Sequence, residues 1–169
     1  QVVSIPGKTG NQVVAIVRHP PGAGPFPAIL LLHGGLSPYA VEKLKDESLT
    51  RPNYTRFLAA GFVIVVPTFR SREENPQSRD ALDDCLAVVE FVKKMPVVDP
   101  KSVAVLGGSG GGSLALELAG ESDVCAIVAG EPASVLFAGL MVRGMSDRGQ
   151  AFQEVMRNPK KHYTPELQQ

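Results

Sequence analysis

Residues 102–119 read SVAVLGGSGGGSLALELA, and the rest of the chain is interpreted outward from this stretch. Ser102 to Leu106 is a continuous apolar run rich in valine, the pattern of a strand covered on both faces. Ser113 to Ala119 has helical spacing instead, with Leu114 and Leu118 on one face. Between them, Gly107-Gly108-Ser109-Gly110-Gly111 fits G-x-S-x-G in the order strand, turn, helix. So sharp a reversal forces Ser109 into a strained backbone conformation. It also brings residues 107 and 111 nearly together, so neither has room for a side chain. The hydroxyl then stands above the carboxyl edge of the sheet, where α/β folds bind ligands. The helix start behind it offers free N–H groups and a positive dipole end. By composition alone GGSGGG is a flexible linker, but a linker would not be gripped between a buried strand and an apolar-periodic helix. A phosphate-binding turn is the other alternative, but GxxxxGK[ST] is absent and no lysine precedes Ser113.

A second signal lies upstream. Phe26 to His33 (FPAILLLH) is another continuous apolar run, and it ends in His33-Gly34-Gly35. Acyl transfer needs two N–H donors on the developing oxyanion, and the second comes from the loop after an earlier strand. Glycine there lets the backbone approach a substrate carbonyl. His33 precedes this loop and is expected to be structural.

Further strands are expected at Val2 to Ile5, Gln12 to His19, Phe62 to Pro67 and Val124 to Ala129. Helices are expected at Asn53 to Ala60, stopped by Gly61, at Ser78 to Met95, and at Ala133 to Met141 and Gln150 to Arg157. The stretch from Gly34 to Asn53 reads as irregular. Alternating buried strands and helices imply one α/β domain over residues 1–169, a mainly parallel sheet with helices on both faces.

The chain has 169 residues and a mass of 17.9 kDa, which suits one domain. Seventeen Lys and Arg balance seventeen Asp and Glu, so neither nucleic acid nor an anionic membrane is an expected partner. The apolar runs are too short to span a bilayer, and the opening residues are not expected to be a secretory signal. Cys85 and Cys125 form no disulfide framework or zinc spacing and are expected to be small buried hydrophobes. No metal or cofactor is implied. His19, His33 and His162 are the three histidines.

The blocks PAILLLHGG, FLAAGFVIVVPTFRS, DALDDCLAVVEFV and DPKSVAVLGGSGGGSLAL together resemble the α/β-hydrolase family in order and spacing. The pattern is similar to prolyl oligopeptidase and acylaminoacyl peptidase catalytic domains and to dienelactone-hydrolase-like esterases. The resemblance implies a serine hydrolase acting on a small ester or peptide-like substrate, with Ser109 as nucleophile. It also implies an oxyanion hole formed by the amides of Gly35 and Gly110. The chain departs from the family at Gly110, where relatives often carry an aromatic residue, and across TFRSREEN. The family order of Ser, then Asp or Glu, then His leaves His162 as the one downstream histidine. It sits in polar NPKKHYTPE and is expected to be a solvated tail residue. The chain is therefore expected to be C-terminally incomplete, ending before the acid-bearing and histidine-bearing turns.

Glu131 is expected to shape the pocket floor or cap a helix, although some relatives place the triad acid after that strand. Asp80, Asp83 and Asp84 are expected to be solvated or helix-start charges. Arg70, Arg72, Glu73 and Glu74 fall in a loop at the catalytic edge, where substrate contact is the alternative to the expected solvated charge cluster. The Val124 to Ala129 strand is expected to pair with another chain or to lie exposed. The alternative functional reading is a non-catalytic α/β-hydrolase-like binding protein, or an inactive fragment lacking the acid and histidine.

Overall fold

A computed structural model describes residues 1–133 other than 74, 76 and 77. The expected helix at Gln150 to Arg157, all but the first residue of the one expected at Ala133 to Met141, and the expectations for Glu74 and His162 therefore lie outside the described residues. Six strands form one sheet: β1 (Val2–Pro6), β2 (Gln12–Arg18), β3 (Phe26–Leu32), β4 (Val63–Pro67), β5 (Val98–Gly108) and β6 (Ala126–Gly130). Their spatial order is β1-β2-β4-β3-β5-β6. β1 pairs antiparallel with β2, and β2 antiparallel with β4, while β4, β3, β5 and β6 run parallel.

The continuous apolar strands occupy the middle of the sheet because both of their faces are covered. On one face β3, β4 and β5 contribute Ala28, Leu30, Val63, Val65, Val103 and Val105 to a core with helices α3 (Asp80–Lys93) and α4 (Gly110–Glu121). On the other, Ile29, Leu31, Ile64 and Val66 pack with Leu44 of α1 (Val41–Thr50) and Tyr54 of α2 (Pro52–Ala59). One face packs against α3 and α4, the other against α1 and α2. The α/β-hydrolase architecture expected from the sequence is present.

α1 differs from the expectation of an irregular stretch. VEKLKDESLT shows almost no apolar periodicity, and its packing against the sheet rests on buried Leu44 with Glu47 and Ser48 beside it. Tertiary contact stabilises a helix that the pattern alone does not signal. Arg51, extended ahead of Pro52, ends α1 and starts α2, because a residue before proline avoids the helical region and proline suits the first helical turn.

Three charges expected to be solvated are instead tied into the fold. Asp84 is buried and accepts from the Arg70 backbone and guanidinium and from Asn11 Nδ2. Arg70 also pairs with Asp80 at 3.0 Å. Arg72 is buried as well. Burying a charge is costly unless it is paired, and each of these sits against an opposite charge. Cys85 is buried as expected, and burial pushes its thiol pKa well up, whereas Cys125, just before β6, is exposed and not the buried hydrophobe expected.

Candidate active site

Ser109 joins β5 to α4 with φ 53° and ψ −119°, a left-handed conformation that costs a non-glycine residue of order 1–3 kcal/mol. Surrounding contacts hold it there. Its N–H donates to Gly130 O at 2.9 Å, and its carbonyl accepts from the N–H groups of Ser113 and Ala133. Ser113 Oγ also donates to Ala133 O. The start of α4 is thereby fastened to the chain leaving β6, and Ser109 itself stays exposed.

The flanking glycines are required by contact. A Cβ on Gly107 would lie 2.0 Å from Gly111 O, and one on Gly111 would lie 2.5 Å from both Leu32 O and His33 O. Neither neighbour could yield, since each is backbone. α4 therefore enters the fold pressed against the end of β3, where His33-Gly34-Gly35 begins.

That loop lies directly over the serine. A Cβ on Gly34 would stand 3.6 Å from Ser109 Cβ, and one on Gly110 would stand 2.1 Å from Gly35 O and 3.3 Å from Gly35 N. With standard bond lengths, the amide nitrogens of Gly35 and Gly110 are then within about 6 Å of each other. Gly35 adopts φ 87°, which favours glycine. The structure brings Ser109, Gly35 and Gly110 together at the carboxyl ends of β3 and β5.

The loop is braced from below. His33 is sandwiched between Tyr39, 3.9 Å away by ring centroids, and Phe69, 4.1 Å away, both nearly parallel to it. Its Nδ1 lies 3.0 Å from Gly34 O, which assigns the proton to Nδ1. Burial holds its pKa below the usual histidine range, so the ring is neutral at pH 7. Its Nε2 is buried with no partner, so His33 shapes the loop rather than serving Ser109. Two further bonds tie the loop to the segment after β4: Arg72 N–H donates to Leu36 O at 2.7 Å, and Ser37 Oγ donates to Glu73. Arg72 reaches onward to Glu117 of α4 at 2.8 Å.

Sequence reading missed Tyr39, Phe69 and Glu117, and it placed Arg72 among solvated charges rather than buried ones. A signal existed only for Phe69, as the aromatic residue after a buried strand; the Arg72–Glu117 pairing spans 45 positions and leaves no local mark. His19 lies elsewhere, with Nδ1 against Pro20 O. Among the described residues no histidine hydrogen-bonds to the Ser109 hydroxyl. Glu131, exposed and at φ 44°, follows β6 close to the junction and makes no hydrogen bond to Ser109.

Comparison with known proteins fits this arrangement. A post-proline cleaving enzyme from Rickettsia typhi superposes with a TM-score of 0.69 at 15% identity, over 97% of this chain and 27% of that one. An esterase from the hyperthermophilic archaeon Pyrobaculum calidifontis superposes with a TM-score of 0.64 at 23% identity, over 99% of this chain and 60% of that one. A bacterial heroin esterase matches with a TM-score of 0.57 at 25% identity, over 72% and 39% of the two chains. The chain thus spans less than two thirds of the length of these proteins. No curated protein matches it by sequence. The profile of the BD-FAE family matches residues 15–129, which takes in β3, β4, β5, Ser109 and β6. The chain belongs to the BD-FAE family, with the α/β-hydrolase fold.

Proposed function

We propose that the protein is a serine hydrolase that cleaves small ester or peptide-like substrates through an acyl-enzyme on Ser109. The observation that carries this reading is the strained, exposed Ser109 at the β5–α4 junction, with the Gly34-Gly35 loop packed against it. Strain of this kind persists only when the surroundings over-determine it, and it lifts a hydroxyl clear of the sheet at a helix start. In the reaction, Ser109 Oγ attacks the carbonyl carbon while its proton passes to a base, and the carbonyl π-electrons move onto oxygen. The Gly35 and Gly110 amides are assigned to donate to that oxyanion, aided by the positive end of α4. Collapse expels the alcohol or amine, which takes up the proton, and water then cleaves the acyl-serine by the same route. Among the described residues neither His19 nor His33 is bonded to Ser109, so neither is assigned the role of base.

The alternative, a binding protein that retains the fold without the chemistry, is favoured by the same observation, that neither described histidine is bonded to Ser109. A fluorophosphonate probe separates the two. Labelling that maps to Ser109 and disappears in Ser109→Ala supports the hydrolase. A folded protein that stays unlabelled favours the binding protein.

A further inference from the structure

The segment following β4 touches both halves of the proposed oxyanion site. Arg72 N–H donates to the carbonyl of Leu36, the residue after Gly35. Its side-chain Nη1 donates to Glu117 Oε1 on α4, the helix that begins at Gly110. The Arg72 side chain is only 6% exposed. We propose that Arg72 is a positioning residue, tying the loop that carries the Gly35 amide to the helix that carries the Gly110 amide. Its catalytic consequence rests on the serine-hydrolase reading; its effect on the loop does not.

Physical reasons set this pair apart from the surface ion pairs of the chain. The loop after β3 has no strand ladder at Gly34 and Gly35, and two successive glycines leave it more freedom than any other residues would. A donor alignment good enough for catalysis needs that freedom removed before substrate arrives. An exposed pair constrains little, because water competes for both ions. The Arg72 guanidinium has little access to water, so its contact with Glu117 is held more firmly than a pair at the surface. Ser37–Glu73 and the His33–Phe69 stack join the same two segments, and Arg72 carries the linkage on to α4.

The test measures amide hydrogen exchange on the full chain alongside hydrolysis of p-nitrophenyl acetate. Arg72→Met is expected to speed exchange across residues 33–37 by about tenfold or more, with β4 and the middle of β3 unchanged. In the active protein it lowers kcat by about tenfold with KM within about twofold, as expected when a donor made for the transition state drifts. Arg72→Lys recovers part of both losses, since a cation still faces Glu117. Glu117→Gln moves both readouts in the same direction by less, and it carries the test if Arg72→Met fails to fold. Arg79→Gln, which breaks the exposed Arg79–Glu121 pair farther along α4, leaves both unchanged. Wild-type exchange at 33–37 in folded Arg72→Met, or in folded Glu117→Gln where that variant carries the test, overturns the proposal. So does an unchanged kcat in the same variant. A wild-type chain that neither labels nor hydrolyses overturns the hydrolase reading alone, and the exchange result still decides the role of Arg72.

Discussion

At Ser109 the backbone conformation and the proposed chemistry make opposite demands on one residue. Glycine would adopt φ 53° without steric cost, yet only a side chain supplies a hydroxyl. Ser109→Gly should relieve strain of about 1–3 kcal/mol, offset by the roughly 0.5–1 kcal/mol of extra chain entropy that glycine loses on folding. The balance favours the variant. It is expected to melt about 2–4 °C above wild type while losing all probe labelling. Ser109→Ala keeps the strain and should melt within about 1 °C of wild type. Calorimetry on the three proteins checks this, and a Ser109→Gly protein that melts lower would mean the conformation is not strained.

The loop from His33 to Tyr39 is held by packing between aromatic rings. His33 lies inside that stack, and its pKa is lowered chiefly by burial. The Gly34 carbonyl and Glu47 pull it back up, and Lys43 and Arg51 push it down. The sign follows from linkage. A histidine with a depressed folded pKa binds its proton more readily in the unfolded chain. Its neutral, buried state therefore favours folding above the unfolded value of about 6.5, and that stability is lost as pH falls below it. Melting temperature is expected to drop between pH 7 and pH 5. His33→Phe keeps a ring between Tyr39 and Phe69 but removes the titration, so it should flatten that drop at the cost of the bond to Gly34 O. Equal slopes in the two proteins would assign the pH dependence to other groups.

At the scale of the whole molecule, the two sides of the sheet differ among the described residues. β1 and β2 close one side as an antiparallel hairpin, whereas β6 pairs with β5 alone among the described residues. β6 reads AIVAG, without charge or proline, and Val128 is 53% exposed. Natural edges usually carry charges, because an apolar edge offers its N–H and C=O groups to another chain. Pairing of this edge with another chain is therefore expected as protein concentration rises, and analytical ultracentrifugation should show a species heavier than 17.9 kDa. Val128→Lys should abolish that species with little change in melting temperature, since the residue packs on little. A wild-type chain that stays monomeric at high concentration removes the expectation.

Sequence alone determined the features that repeat locally. Buried parallel strands show as FPAILLL and FVIVVP because both of their faces must be apolar, and α3 shows because one of its faces must be. The Ser109 turn was legible for the same reason: so tight a reversal excludes side chains at Gly107 and Gly111, and that steric demand is written in five consecutive residues. Tertiary structure decided what depends on partners far apart in the chain. α1 forms from a polar segment because Leu44 finds the sheet. Asp84 and Arg72, indistinguishable in sequence from solvated charges, are buried because Arg70 and Glu117 meet them across the fold. Desolvating a charge is tolerated only where an opposite charge waits, and no local pattern records where that will be.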